Sequence, residues 1–313
     1  MHIPDGFLDT KTVVTTTALS LTGVAAAWRQ TKSSVEPQRI PLLGVTAAFV
    51  FAAQMLNFPV AGGTSGHLMG AVLCSVLIGP GGAIIVMTSV LVVQCLLFAD
   101  GGVLALGANI FNMGIVGTLT GSLFYHGLHR FFPSRRGRIA AVALASWSSV
   151  VVASMCCAGE LAWSGTVQWR IAFPAMTGVH AVIGVGEALI SCLVIVAVQK
   201  ARPELVPSSE NPRSVKKTGV IVVYGLTIAV GLVIFISPFA SQWPDGLEKV
   251  AATFGFDTKA IQHPIASKVI PDYHFPGVSS LTLATILGGV VGVGVVFLLV
   301  RLATRMLRPK SEV

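Results

Sequence analysis

The sequence predicts an all-α polytopic membrane protein of about nine transmembrane or re-entrant helices, N-terminus outside, C-terminus cytoplasmic. Three observations predict it. Only 11% of the 313 residues are charged and 53% are hydrophobic, whereas a soluble domain carries about 25% charged residues. The apolar residues form long runs without the alternation of a barrel strand, so helices must satisfy the backbone in lipid. The positive charge is lopsided as well. With the N-terminus outside, only Lys11, Arg170, Lys249, Lys259 and Lys268 of the 21 Lys and Arg lie outside, and cytoplasmic loops are the ones enriched in such residues.

The apolar runs lie at 13–28, 42–58, 67–79, 83–99, 103–125, 139–157, 173–198, 220–238 and 281–302. The third and fourth are short and flank Gly79, Pro80, Gly81 and Gly82. That string forces a tight reversal, so these two spans read as tilted, half-inserted or re-entrant. A polar stretch with three prolines at 199–217 reads as a linker. The chain therefore divides into a seven-span module at 1–200, a cytoplasmic linker at 201–216 and a two-span module at 217–313 with an outer loop. The first eight residues carry no Lys or Arg, so no secretory leader is expected. Met1 is expected to stay, because His2 is too large for efficient removal of the initiator.

Composition also excludes classes. The net charge of +8 is mostly inner-loop charge facing anionic lipid heads, so the partner is membrane lipid and no nucleic acid is needed. There is no G-x-x-x-x-G-K-[ST] and no H-E-x-x-H, hence no ATPase of its own and no intramembrane metalloprotease signature. No nucleophile stands beside a base. Cys74, Cys95, Cys156, Cys157 and Cys192 lie in or beside apolar runs and read as packing residues.

The chain opens MHIPDG. A free terminus of this kind offers three nitrogens to one metal: the Met1 amine, the His2 amide and the His2 imidazole Nδ1. Amine and amide close a five-membered ring; amide and Nδ1 close a six-membered one. Ni(II) and Cu(II) favour the resulting planar set, Zn(II) a tetrahedral one. The fourth corner needs one more donor. His67, in the glycine-rich stretch FPVAGGTSGHLMGA at the outer mouth of a span, is one candidate. The plainer readings are an exposed terminal His2 and a His67 capped by its loop. Asp5 and Asp9 add negative charge that attracts cations.

Other polar groups lie in or near the spans. Asn109 and Asn112 are spaced to share a helix face, as are His180 and Glu187. With Asn57 and Ser65 they are candidates to support or gate a site. An intramembrane Glu is a functional candidate by default, and His180 with Glu187 also admits a proton relay in an ion-coupled secondary transporter. The outer loop carries Asp245, Glu248, Asp257, His263, Asp272 and His274, expected to assist loading or to order the site rather than to form the tight site.

MHIPDGFL, GGTSGH, GANIFNMG and HAVIGVGEALI together resemble the NikM/CbiM family, the substrate-binding membrane components of nickel and cobalt energy-coupling factor transporters. SQWPDGLEKVAATFGF and IPDYHFPGV resemble the loop of the small N component, so the chain resembles an M–N fusion. The resemblance implies a metal held by the amine of Met1, the amide and imidazole of His2, and His67. It implies a plasma-membrane, multi-pass transport subunit that is not an enzyme. Its partners are then a transmembrane coupling (T) subunit and cytosolic ATP-binding cassette ATPase subunits. Ni(II), or alternatively Co(II), is the substrate, with no prosthetic cofactor; Pro4 and Asp5 match the nickel form of the opening motif.

Overall fold

A computed structural model describes residues 1–34, 39–206, 218–261 and 269–306. Ten α-helices and one small hairpin build it: α1 (Thr10–Ser34), α2 (Ile40–Gln54), β1 (Phe58–Val60), β2 (Thr64–Gly66), α3 (Ala71–Phe98), α4 (Leu106–Asn109), α5 (Gly117–Phe131), α6 (Arg135–Trp163), α7 (Trp169–Ala201), α8 (Thr218–Phe235), α9 (Gly246–Phe254) and α10 (Leu281–Arg305). A π-helical turn, Ile110–Val116, joins α4 to α5 without a break. The sequence expectation of nine spans is not what the described residues display. Five stretches are long and apolar enough to cross a membrane: Ala71–Phe98, Arg135–Trp163, Trp169–Ala201, Gly219–Phe239 and Leu281–Arg305. The threonine-rich α1 is long but less apolar, and α2 is apolar but only 15 residues long.

α3 covers both predicted short spans, and it is broken at Gly79 (φ 78°, ψ 163°). A straight helix of its length would separate its ends by about 42 Å. Yet His67, just before it, stacks on His2 at 5.2 Å between ring centroids, and Asp100, just after it, lies 3.1 Å from the same His2. The chain therefore turns back at Gly79, down a short arm and up a long one. Gly81 lies at this turn, where a Cβ would meet Thr31 and the Ala27 carbonyl of α1.

The first nine residues make no helix; they fold into one end of the bundle. Ile3 and Phe7 are buried there. Asn109 clamps Ile3 from both sides, accepting from its N–H at 2.8 Å and donating to its carbonyl at 3.1 Å. Asp5 accepts from the N–H groups of Val103, Leu104 and Ala105, and Asp9 caps the start of α1 through Thr12. Both acids are thus tied to backbone, and neither is the loose cation lure that their sequence position suggested.

α8 and α10 pack on α2, and glycine sets the distance. A Cβ on Gly292 would lie 2.1 Å from the Phe51 ring, and one on Gly225 2.2 Å from Val45. Small residues let apolar helices approach in this way. Gly23 of α1 follows the same rule within the chain, against Ile115. The five cysteines are free thiols.

Gly292→Ala is expected to force the Phe51 ring out of place, at a cost of about 1–3 kcal/mol. Thermal unfolding of the purified chain in detergent checks it; an unshifted midpoint contradicts the packing described.

Candidate metal centre

Four segments converge at one end of the bundle: the N-terminus, the loop after β2, the segment before α9 and the end of α3. The β1–β2 hairpin positions the first two partners. Phe58 pairs with Gly66 and Val60 with Thr64, and Gly62 and Gly63 turn between them with φ of 87° and 71°. Ser65 then binds the segment from the second module: its N–H donates to Pro244 O at 2.8 Å and its hydroxyl to Trp243 O at 2.7 Å. Asn57 O accepts from Ser241 N–H at 2.8 Å. Asn57 and Ser65 therefore dock the segment before α9.

That docking delivers Asp245 to the chain terminus. Its carboxylate forms an ion pair with the Met1 ammonium. Asp245 also caps α9, accepting from Glu248 N–H at 2.9 Å while Glu248 returns a bond to Asp245 N–H. Gly246 must be glycine: a Cβ there would lie 2.8 Å from His180 Cε1 and Ile183 Cδ1. His2, His67 and Asp245 each offer a ligand atom, and these atoms lie within 4.8 Å of one another. Met1, His67, His180, Asp245 and Met113 line a cavity of about 20 Å³, room for one water or one ion. Asp245, one of the acids of the loop between α8 and α10, thus lies beside His2 and His67 and pairs with the Met1 amine.

Electrostatics keep the two imidazoles neutral. Burial lowers the pKa of His2, and burial with the nearby ammonium lowers His67 to about 3. Burial alone disfavours the charged amine, yet Asp245 outweighs it and the Met1 pKa is raised. Burial likewise opposes the Asp245 charge, and the ammonium more than offsets it, so that pKa falls below the carboxylate range.

The remaining candidates have separate places. Asn112, inside the π-helical turn, has a different partner from Asn109: it donates to Glu160 at 2.7 Å. His180 and Glu187 share a buried face of α7 but are bonded to different partners. His180 Nδ1 bonds the Met176 carbonyl at 2.8 Å, and its Nε2 is buried without a partner. Glu187 accepts from Met69 N–H at 2.5 Å and Gly70 N–H at 2.9 Å. It thereby caps the short arm of α3, at a helix start where backbone donors are otherwise unpaired. Asp100, Glu160 and Tyr273 were not singled out from sequence. Asp100 and Glu160 look like ordinary acids at span ends, and Tyr273 lies far along the chain. His263 falls outside the described residues.

Residues 2–205 match the CbiM family, described as "Cobalt uptake substrate-specific transmembrane region", and residues 219–309 match the PDGLE domain. A putative fused nickel transport protein NikMN of Archaeoglobus fulgidus is 33% identical, over 98% of this chain and 99% of its own. A probable fused nickel transport protein LarMN of Lactiplantibacillus plantarum is 28% identical, over 96% and 97%. The crystal structure of a truncated transition metal transporter, 31% identical, superposes with TM-score 0.57 over 64% of this chain and 99% of that one.

Glu187→Ala removes the acceptor for two buried N–H groups. Stability is expected to fall by about 1–3 kcal/mol per unpaired group, with Glu187→Gln, which keeps one acceptor oxygen, falling between. Equal unfolding midpoints for the three proteins would remove the capping role.

Proposed function

The chain belongs to the CbiM family, and from that premise we propose that it is the substrate-specificity subunit of an ATP-driven importer of the energy-coupling factor type. Its substrate is Ni(II), with Co(II) the alternative, taken from the extracytoplasmic side. The observation that carries this reading is the convergence of His2, His67 and Asp245, whose ligand atoms lie within 4.8 Å of one another, on the Met1 amine that Asp245 pairs. Nitrogen donors suit late first-row divalent ions, and a planar set suits Ni(II). The names of the two full-length relatives, both nickel transport proteins, support the same ion.

In this reading the ligands are the Met1 amine, the His2 amide and imidazole, and His67. Residues 1–200 form the metal-binding component, 201–216 a cytoplasmic linker and 217–313 the N-component module. That module brings Asp245 to the site. The chain crosses the plasma membrane with its N-terminus outside, in up to nine full or partial spans. A transmembrane coupling subunit and cytosolic ATPase subunits supply the energy. Glu187 and His180 each have another bond, which weighs against their acting together as a proton relay.

One extra residue before Met1 keeps both histidines and moves the amine out of its chelate ring. Loss of second-shell partners alone costs about 10–100-fold in metal affinity, so loss of a ligand is expected to cost at least about 100-fold. A Ni(II) titration of the extended chain beside the native one, with mass spectrometry confirming both termini, checks it. Equal affinities contradict the ligand set.

Affinity is also expected to rise with pH. The raised Met1 pKa keeps the amine protonated in the metal-free chain, and the ion must displace that proton and the amide proton. Both histidines are lowered and already neutral, so they release none. Between about pH 6 and about pH 8 each displaced proton contributes about tenfold per pH unit. Isothermal titration across that range tests the slope; a flat profile is the contrary result.

A further inference from the structure

Of the two His2 ring nitrogens, only Nδ1 closes the six-membered ring with the backbone amide. In the structure this atom is engaged elsewhere. It lies 3.1 Å from Asp100 Oδ1. A carboxylate oxygen only accepts, so Nδ1 carries the ring proton and acts as a donor. Nε2 is buried without a partner. The other Asp100 oxygen accepts from the Tyr273 hydroxyl at 2.6 Å, and Gln94 Nε2 donates to that hydroxyl at 3.2 Å.

Tyr273 is built into this position. Its ring stacks on Phe98 with centroids 4.7 Å apart. It leaves a turn in which Asp272 and Tyr273 both hold left-handed φ, 53° and 63°, a region that residues with a Cβ rarely adopt. The neighbouring Ile270 N–H donates to Leu97 O at 2.8 Å, tying the turn to the end of α3. Two of the three chelate atoms of the terminus are thus held by carboxylates. The amine is held by Asp245, which belongs to the second module; Nδ1 is held by Asp100, which the second module braces through Tyr273.

We propose that Asp100 and Tyr273 form a latch on His2 that keeps Nδ1 out of the metal chelate until the ion is loaded. This rests on the chelate reading above. Loading then requires Nδ1 to leave Asp100 and the ring proton to move from Nδ1 to Nε2, so that the Nδ1 lone pair faces the ion. Asp100 keeps its bond to Tyr273 and is ready to take His2 back on release. Tyr273 and Asp100 are positioning residues; neither is a ligand. Because latched molecules do not bind, the latch lowers apparent affinity by the unlatched fraction.

The test uses the full chain with Asp100→Asn, which weakens the acceptor facing Nδ1, and Tyr273→Phe, which keeps the stacked ring and removes the brace. Stopped-flow Ni(II) binding, equilibrium titration and the absorption spectrum of the loaded protein are read for each. Loading is expected to be faster by about fivefold or more in Asp100→Asn, with a smaller gain in Tyr273→Phe. Affinity rises in the same order, with an unchanged low-spin planar spectrum. Structural damage moves these values the other way. Unchanged or slower loading overturns the latch. A changed spectrum overturns it too, since His2 then binds through Nε2 with Asp100 as its support. The chain with one added N-terminal residue separates the two proposals. If that chain binds as tightly as the native one, the chelate itself is wrong; if it fails while both latch variants match the native chain, only the latch is wrong.

Discussion

The fold depends on one buried charge. The Met1 ammonium sits inside the protein, and a cation removed from water without a partner costs several kcal/mol. Asp245 supplies the partner, and it comes from the second module. The burial of the terminus is therefore tied to the segment that carries Asp245. The surrounding contacts serve this requirement: Ser65 holds the segment carrying Asp245, Gly246 leaves room against His180, and Asn109 fixes Ile3 so that the terminus cannot slide.

On the proposed function, the same pair accounts for how a buried site can receive an ion. An ammonium and a carboxylate together carry no net charge, and a divalent ion that displaces the amine proton finds the carboxylate already in place. Below the site, the short arm of α3 starts inside the bundle with its first donors capped by Glu187. Non-helical backbone at that depth needs protein partners, which is the physical work of a glutamate that sequence alone marks only as unusual. The hairpin, the loop carrying His67 and the short arm form one continuous support for one wall of the site.

Much of this was legible beforehand. Composition and run length pointed to a helical membrane protein, and the glycine–proline string at 79–82 marked the turn within α3. His2 stood out because a free terminus offers three nitrogens around it, and His67 because it sits in a glycine-rich stretch at the mouth of a predicted span. Pairing was not legible. Asp245 lies 244 residues from the amine it binds, and nothing local distinguishes it from Asp5, which follows proline and precedes glycine in the same way but is tied to backbone N–H groups. Asn109 and Asn112 were placed on one face by α-helical spacing, and a π turn separates them. Span number is less legible: among the described residues five helices are both long and apolar enough to cross a membrane, while α1 is long but less apolar and α2 apolar but short.

The most direct measurement is the nitrogen resonance of the Met1 amine in the full chain, grown with ¹⁵N-methionine. The amine resonates far from the amides of the other methionines. The account predicts a solvent-protected ammonium signal in the metal-free protein, shifted by Asp245→Asn, that is replaced by a deprotonated amine signal when Ni(II) is added. An amine that exchanges freely with water and does not respond to Ni(II) would contradict it.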